Sequence, residues 1–94
     1  MEMVYNLLKN ACPVKKCVKE VESDDFLIVS APDLSIYYLN ETARLFYELT
    51  DGVRSIDEIT TEIAAVYEVD RSVLNDDIIL LIRDLQWKKL LVLQ

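Results

Sequence analysis

At residues 39–40 the hydrophobic period of this chain changes from two to about 3.6, and that change limits the folds open to it. Upstream, residues 17–22 alternate Cys17, Lys19 and Val21 against Val18, Glu20 and Glu22, which predicts a strand. Ser23-Asp24-Asp25 is turn chemistry, residues 26–30 read as a buried second strand, and Ala31-Pro32-Asp33 breaks it. Residues 34–39 predict a third strand, with Leu34, Ile36 and Tyr38 on one face and Ser35, Tyr37 and Leu39 on the other. Such short connections predict an antiparallel meander.

Downstream the signals are helical. Asn40 can cap a helix over residues 41–50, striped by Ala43, Phe46, Tyr47 and Leu49, and Asp51-Gly52 is expected to end it. Ser55 and Glu58 have the spacing of a capping box, followed by Ile56, Ile59, Ile63 and Val66 at helical intervals. Ser72 is the expected cap of a long third helix running to about Lys88, and residues 90–93 suit a closing extended segment. Residues 1–13 read as a short helix or a docked arm. The expectation is an α+β domain, a three-stranded antiparallel sheet followed by three helices, in a winged helix-turn-helix-like layout.

That layout belongs to many DNA-binding modules, but the charge has the wrong sign. The chain has 94 residues, 10 basic and 17 acidic, no histidine and a net charge of -7. Affinity for duplex DNA comes largely from Lys and Arg displacing counterions. The acidity sits in the middle: residues 23–52 carry one Arg and six acids, residues 53–70 one Arg and five, while both ends are weakly positive. A solvated face is the plain reading of this acidic centre, and contact with basic segments of a partner is the sharper one. Ninety-four residues make one domain. The 52% apolar content fills a core or leaves apolar surface for a partner. No membrane-length apolar run and no secretory signal pattern occur, so a cytoplasmic location is expected.

The third helix carries apolar residues on two sides. On a wheel of ~100° per residue with Ile78 at zero, Leu74, Ile78, Leu81, Ile82 and Leu85 form one stripe, with Ile79 outside it. Leu80 and Trp87 fall nearly opposite, flanked by Asp76, Arg83 and Asp84. That second face is either covered by the sheet or residues 1–13, or it forms a groove with charged rims. The third strand raises the same question, because it has neither Pro nor Lys to blunt a sheet edge. An open edge offers unpaired main-chain groups to an incoming segment. The alternative is pairing with residues 90–93 or with a second copy of the chain.

Catalytic chemistry is absent from the pattern. No His is present to act as a general base, and one glycine, Gly52, cannot build a phosphate loop. Cys12 and Cys17 supply half of a zinc site, and a reducing compartment disfavours a bridge between them, so reduced thiols, no metal and no cofactor are expected.

The ordered set Leu39-Asn40-Glu41-Thr42-Ala43, Phe46-Tyr47-Glu48-Leu49, Asp51-Gly52 and Ser55-Ile56-Asp57-Glu58-Ile59 closely resembles the PqqD family. Asp77-Ile78, Leu81-Ile82, Leu85 and Leu90-Leu91 fit the same pattern. The resemblance covers roughly residues 17–92 and departs at Lys89, where the family usually has Gly. It divides the chain into an N-terminal arm, residues 1–16, and a PqqD-like peptide-binding domain, residues 17–94. It implies a RiPP recognition element, a non-enzymatic module that binds the leader of a ribosomally made precursor peptide. The leader adds as a strand beside the third strand and packs against the third helix, and the core peptide is presented to a radical SAM enzyme, peptidase or cyclase. On this chain the resemblance points to Leu34, Ser35, Ile36, Tyr37 and Tyr38 of the strand. Of the helix it points to Asp76, Leu80, Arg83, Asp84 and Trp87. Which face of the strand lines the groove stays open, since a shift of one residue exchanges Ile36 and Tyr38 for Ser35 and Tyr37. Neither nucleic acid nor membrane is an expected partner, and dimerisation is left open. The competing readings are a winged-helix transcriptional regulator, a protein–protein adaptor, or a small redox protein using Cys12 and Cys17.

Overall fold

A five-residue turn organises the sheet. The Ala31 N–H donates to the Ser35 carbonyl at 2.8 Å, and the Leu34 N–H donates to the Ala31 carbonyl at 2.9 Å. Leu34 takes a left-handed backbone, φ 74°, as the last loop position of a three-residue hairpin requires. The computed structural model describes residues 2–94. In chain order the elements are α1 (Glu2–Leu8), β1 (Pro13–Lys15), β2 (Lys19–Glu22), β3 (Leu27–Ser30), β4 (Ile36–Leu39), α2 (Glu41–Leu49), α3 (Ile56–Tyr67), α4 (Arg71–Trp87) and β5 (Leu91–Leu93). The strands β2, β3 and β4 form the antiparallel meander, in that order. The fold is α+β, with this sheet followed by three helices, as the change of period predicts.

Several boundaries differ from the sequence expectation, each for a local reason. The third strand begins at Ile36, because Leu34 and Ser35 belong to the turn; the Ser35 N–H donates to Asp33 Oδ1 at 3.0 Å. Asp70 caps α4 in place of Ser72: its carboxylate accepts from the Ser72 N–H at 2.8 Å and so starts the helix two residues early. Gly52, φ 80°, lies in the loop beyond α2, whose end is closed at Thr50 by a bond to the Tyr47 carbonyl. The closing segment pairs with β1 in a separate two-stranded sheet, Val14 opposite Val92. No periodic signal marks β1, since three residues beside a proline carry none.

The remaining features follow the residues. Ser55 and Glu58 form the reciprocal capping box of α3, both bonds at 3.1 Å. The end of α4 is a Schellman motif: the Leu90 N–H donates to the Leu85 carbonyl and the Lys89 N–H to the Gln86 carbonyl. Lys89 takes the left-handed position, φ 61°, so a residue other than glycine closes the helix there at a backbone cost of about 1 kcal/mol.

One core joins the inner face of the sheet to the helices. Leu27, Val29 and Leu39 meet Phe46 and Tyr47 of α2, Ile56, Ile59 and Ile63 of α3, and Ile78, Ile82 and Leu85 of α4, all buried. Each buried aliphatic side chain contributes about 1.5–3 kcal/mol. Tyr47 donates its hydroxyl to the Leu90 carbonyl at 2.9 Å, tying α2 to the C-terminal segment, and burial pushes its pKa far up. Ile79, outside the stripe on the helical wheel, is also buried, and α1 packs against α4. The buried Tyr5 of α1 reaches Asp57 at 2.7 Å and accepts from Arg71 at 3.0 Å, and Arg71 pairs with Asp57 at 2.7 Å. No helix of the described residues is long and apolar enough to cross a membrane.

Candidate functional site

The strand β4 pairs with β3 and with no other described strand, so one of its edges is bare. The hairpin identifies the groups on that edge. Hydrogen-bonded and non-bonded pairs alternate along an antiparallel ladder. The bonded pair Ala31–Ser35 therefore makes Val29–Tyr37 and Leu27–Leu39 the next bonded pairs. The main-chain N–H and C=O of Ile36 and Tyr38 are left pointing away from β3, toward the open edge.

The side chains alternate as well. Leu39 is buried and Tyr37 half-buried against the core, whereas Ile36 and Tyr38, 60% and 64% exposed, stand on the outer face of the sheet. Tyr38 rests there against Phe26, ring centroids 5.8 Å apart. The face toward the helices thus carries Tyr37. Lys88 of α4 lies over the Tyr37 ring at 5.0 Å and also holds Asp84 at 2.8 Å. Through this contact α4 approaches the beginning of β4.

Past the other end of β4 a groove opens, of about 500 Å³. It is lined by Asn40, Glu41, Thr42 and Ala43 at the start of α2, by Tyr67 and Val69 at the α3–α4 turn, and by Val73, Leu74, Asp77 and Leu81 of α4. Val73, Asp77, Leu81, Asp84 and Lys88 follow one another at i, i+4, i+8, i+11 and i+15, so they form a continuous strip on α4. The C-terminal end of α4 reaches β4 at the Lys88–Tyr37 contact, and the groove begins at Asn40, directly after β4; the strip between these two places carries Val73 and Leu81 among the charged Asp77, Asp84 and Lys88.

The expected residues divide. Ile36 and Tyr38 supply the bare edge, and Tyr37 faces α4. Leu34 and Ser35 form the turn that precedes β4. There the Ser35 N–H, ahead of its hydroxyl, holds the Asp33 carboxyl below the usual carboxylate range. Leu80 and Trp87 are open to solvent, 51% and 86% exposed; Leu80, seven residues after Val73, borders the strip, and Trp87 and the exposed Arg83 lie farther round α4. Asp84 belongs to the strip, paired with Lys88. Asp76 lies on the α1 side, in a small depression with Glu2, Ser72 and Asn75. Val73 and Asp77, which were not among the expected residues, line the groove, as does Leu81, which the core-facing stripe included; a helix of this length has two partly covered flanks, and periodicity does not tell which one lies beside the groove. Asn40 was expected as a cap alone, yet its side chain makes no bond to α2.

Three comparisons bear on this arrangement. The family model described as Coenzyme PQQ synthesis protein D (PqqD) matches residues 27–91. A solved structure described as TbiB1 in complex with the TbiA(beta) leader peptide is similar, with a TM-score of 0.75 and 24% identity, over 83% of this chain and 92% of that one. This likeness shows a shared fold. No curated protein matches the chain.

Proposed function

The chain belongs to the PqqD family, and from that premise we propose that it binds the leader region of a ribosomally synthesised precursor peptide. The leader adds as a strand to β4 beside α4, and the core peptide is thereby presented to a modifying enzyme such as a radical SAM enzyme, peptidase or cyclase. The chain acts by binding and positioning, without catalysis of its own. The observation that carries this reading is the bare edge of β4, with a groove lined by Val73, Leu74 and Leu81 of α4 opening directly past its end. The likeness to TbiB1, whose solved structure contains a leader peptide, supports it.

Main-chain bonds to Ile36 and Tyr38 give affinity with little demand on sequence. Val73, Leu74 and Leu81 receive apolar leader side chains, and Asp77, Asp84 and Lys88 set register. Leu80, Arg83 and Trp87 serve as an outer rim, where exposed charges contribute ~0.2–1 kcal/mol each. The net charge of -7 suits a peptide and opposes a phosphate backbone.

Titration of the chain with the precursor peptide encoded beside its gene tests the proposal. The backbone amide NMR signals of Ile36, Tyr38 and residues 73–88 are expected to shift. Shifts confined to residues 1–16 would overturn strand addition. Leu80→Asp sharpens the test: slightly weaker binding by a folded domain marks Leu80 as rim, and unchanged binding removes it from the site. The modifying enzyme should act on the precursor faster with the chain present than without it.

A further inference from the structure

The groove past the end of β4 is apolar on its floor and acidic on its rim. Ala43, Val73, Leu74 and Leu81 form the floor, and no Lys or Arg lines it. Two carboxylates, Glu41 from α2 and Asp77 from α4, stand exposed at its sides. Neither takes part in an ion pair among the described residues, although Asp84 on the same strip is paired with Lys88, and Glu48, the other acid of α2, with Arg44. Two unpaired carboxylates flanking an apolar concavity raise its negative potential, and low-dielectric walls focus that field. Tyr67 adds an aromatic face at the same mouth, and Asn40 an amide that makes no bond to its own helix.

We infer that the segment added to β4 seats a large apolar side chain in this groove with a Lys or Arg beside it, whose head group sits between Glu41 and Asp77. The inference rests on the strand-addition reading and names the chemistry of the guest at one end of it. An aliphatic stem lies along apolar surface while its charged end stays in water, which is how a basic side chain fits an apolar floor with an acidic rim. Tyr67 offers the same cation a ring face. Because Asn40 follows Leu39 directly, the anchor falls at the end of the added segment. Acidic neighbours at that position are rejected by like charge, so the groove selects as well as binds.

Selection from a displayed library of random 12-residue peptides on the full-length chain tests this. Enriched peptides are expected to share an aromatic or branched aliphatic residue adjacent to Lys or Arg. Their affinity is expected to fall about 3- to 10-fold in the double variant Glu41→Lys, Asp77→Lys, the range for two exposed ion pairs. Selection on that variant, its fold checked by circular dichroism, is expected to enrich Asp or Glu beside the same apolar residue. Enriched peptides that shift the Ile36 and Tyr38 amides but show no basic neighbour, or bind both proteins equally, would overturn the inference and leave strand addition standing. Enriched peptides that leave those amides unmoved would overturn strand addition and the inference with it, as would a library from which nothing is enriched.

Discussion

The sheet has two outer edges, and they are built in opposite ways. The strand β2 is exposed at all four positions and reads Lys-Glu-Val-Glu. Its Glu20 is bonded to Lys15 of β1 at 3.0 Å. Charges on an edge strand discourage pairing with another chain. The strand β4 reads Ile-Tyr-Tyr-Leu, carries no charge, and still has one unpaired side. An edge without such protection is an aggregation hazard unless something restricts access to it, and here α4 approaches through Lys88 on Tyr37. The contrast teaches that openness at β4 is a local property of one edge, kept where a helix wall can screen what enters.

The largest expected effect comes from giving β4 the protection it lacks. Tyr38→Pro removes an N–H that points away from β3, so the ladder survives while peptide binding falls about 10-fold or more. Tyr38→Ala keeps that N–H and is expected to retain binding within about 3-fold, which isothermal titration distinguishes. Equal losses in the two variants would assign the role to the ring instead of the backbone.

A second, smaller effect concerns the turn before β4. Leu34 is left-handed and exposed. Leu34→Gly is expected to stabilise the domain by about 0.5–1 kcal/mol in urea unfolding, because glycine adopts that backbone freely. Lys89→Gly tests the same physics at the end of α4 and should gain a similar amount. On the opposite edge, Glu20→Ala breaks a partly exposed pair and is expected to cost about 0.5 kcal/mol at most. Acidification gives the smallest signal. The Asp33 carboxyl is held low by the Ser35 N–H. Its contribution is therefore complete above its unfolded value, near pH ~4, and vanishes as pH falls through the lower folded value. Asp33→Asn should flatten the decline of Tm in that range.

Much of the fold is legible residue by residue. The pattern of residues 17–39 gives three strands, each shorter at its start than expected, and the Ser55–Glu58 box forms where expected. The family resemblance likewise rests on ordered short-range residues, and the match over residues 27–91 agrees with it. The docking of α1 stood only as one of two readings of residues 1–13, and the pairing of β1 with β5 was not legible, because both depend on partners tens of residues away. Tyr5 shows the reason: a lone tyrosine in a short amphipathic stretch gives no sign that it will find Asp57 and Arg71.

The amino-acid order alone determined that one strand would lack charge and that the last helix would be apolar on more than one side, since both follow from side-chain chemistry read at a fixed period. Which side of that helix meets the strand was decided only by tertiary packing. Rotation of a helix about its axis is set by everything that touches it, here α1, α3 and the closing strand β5, and together these place Val73, Asp77 and Leu81 along the groove and leave Leu80 and Trp87 outside its lining.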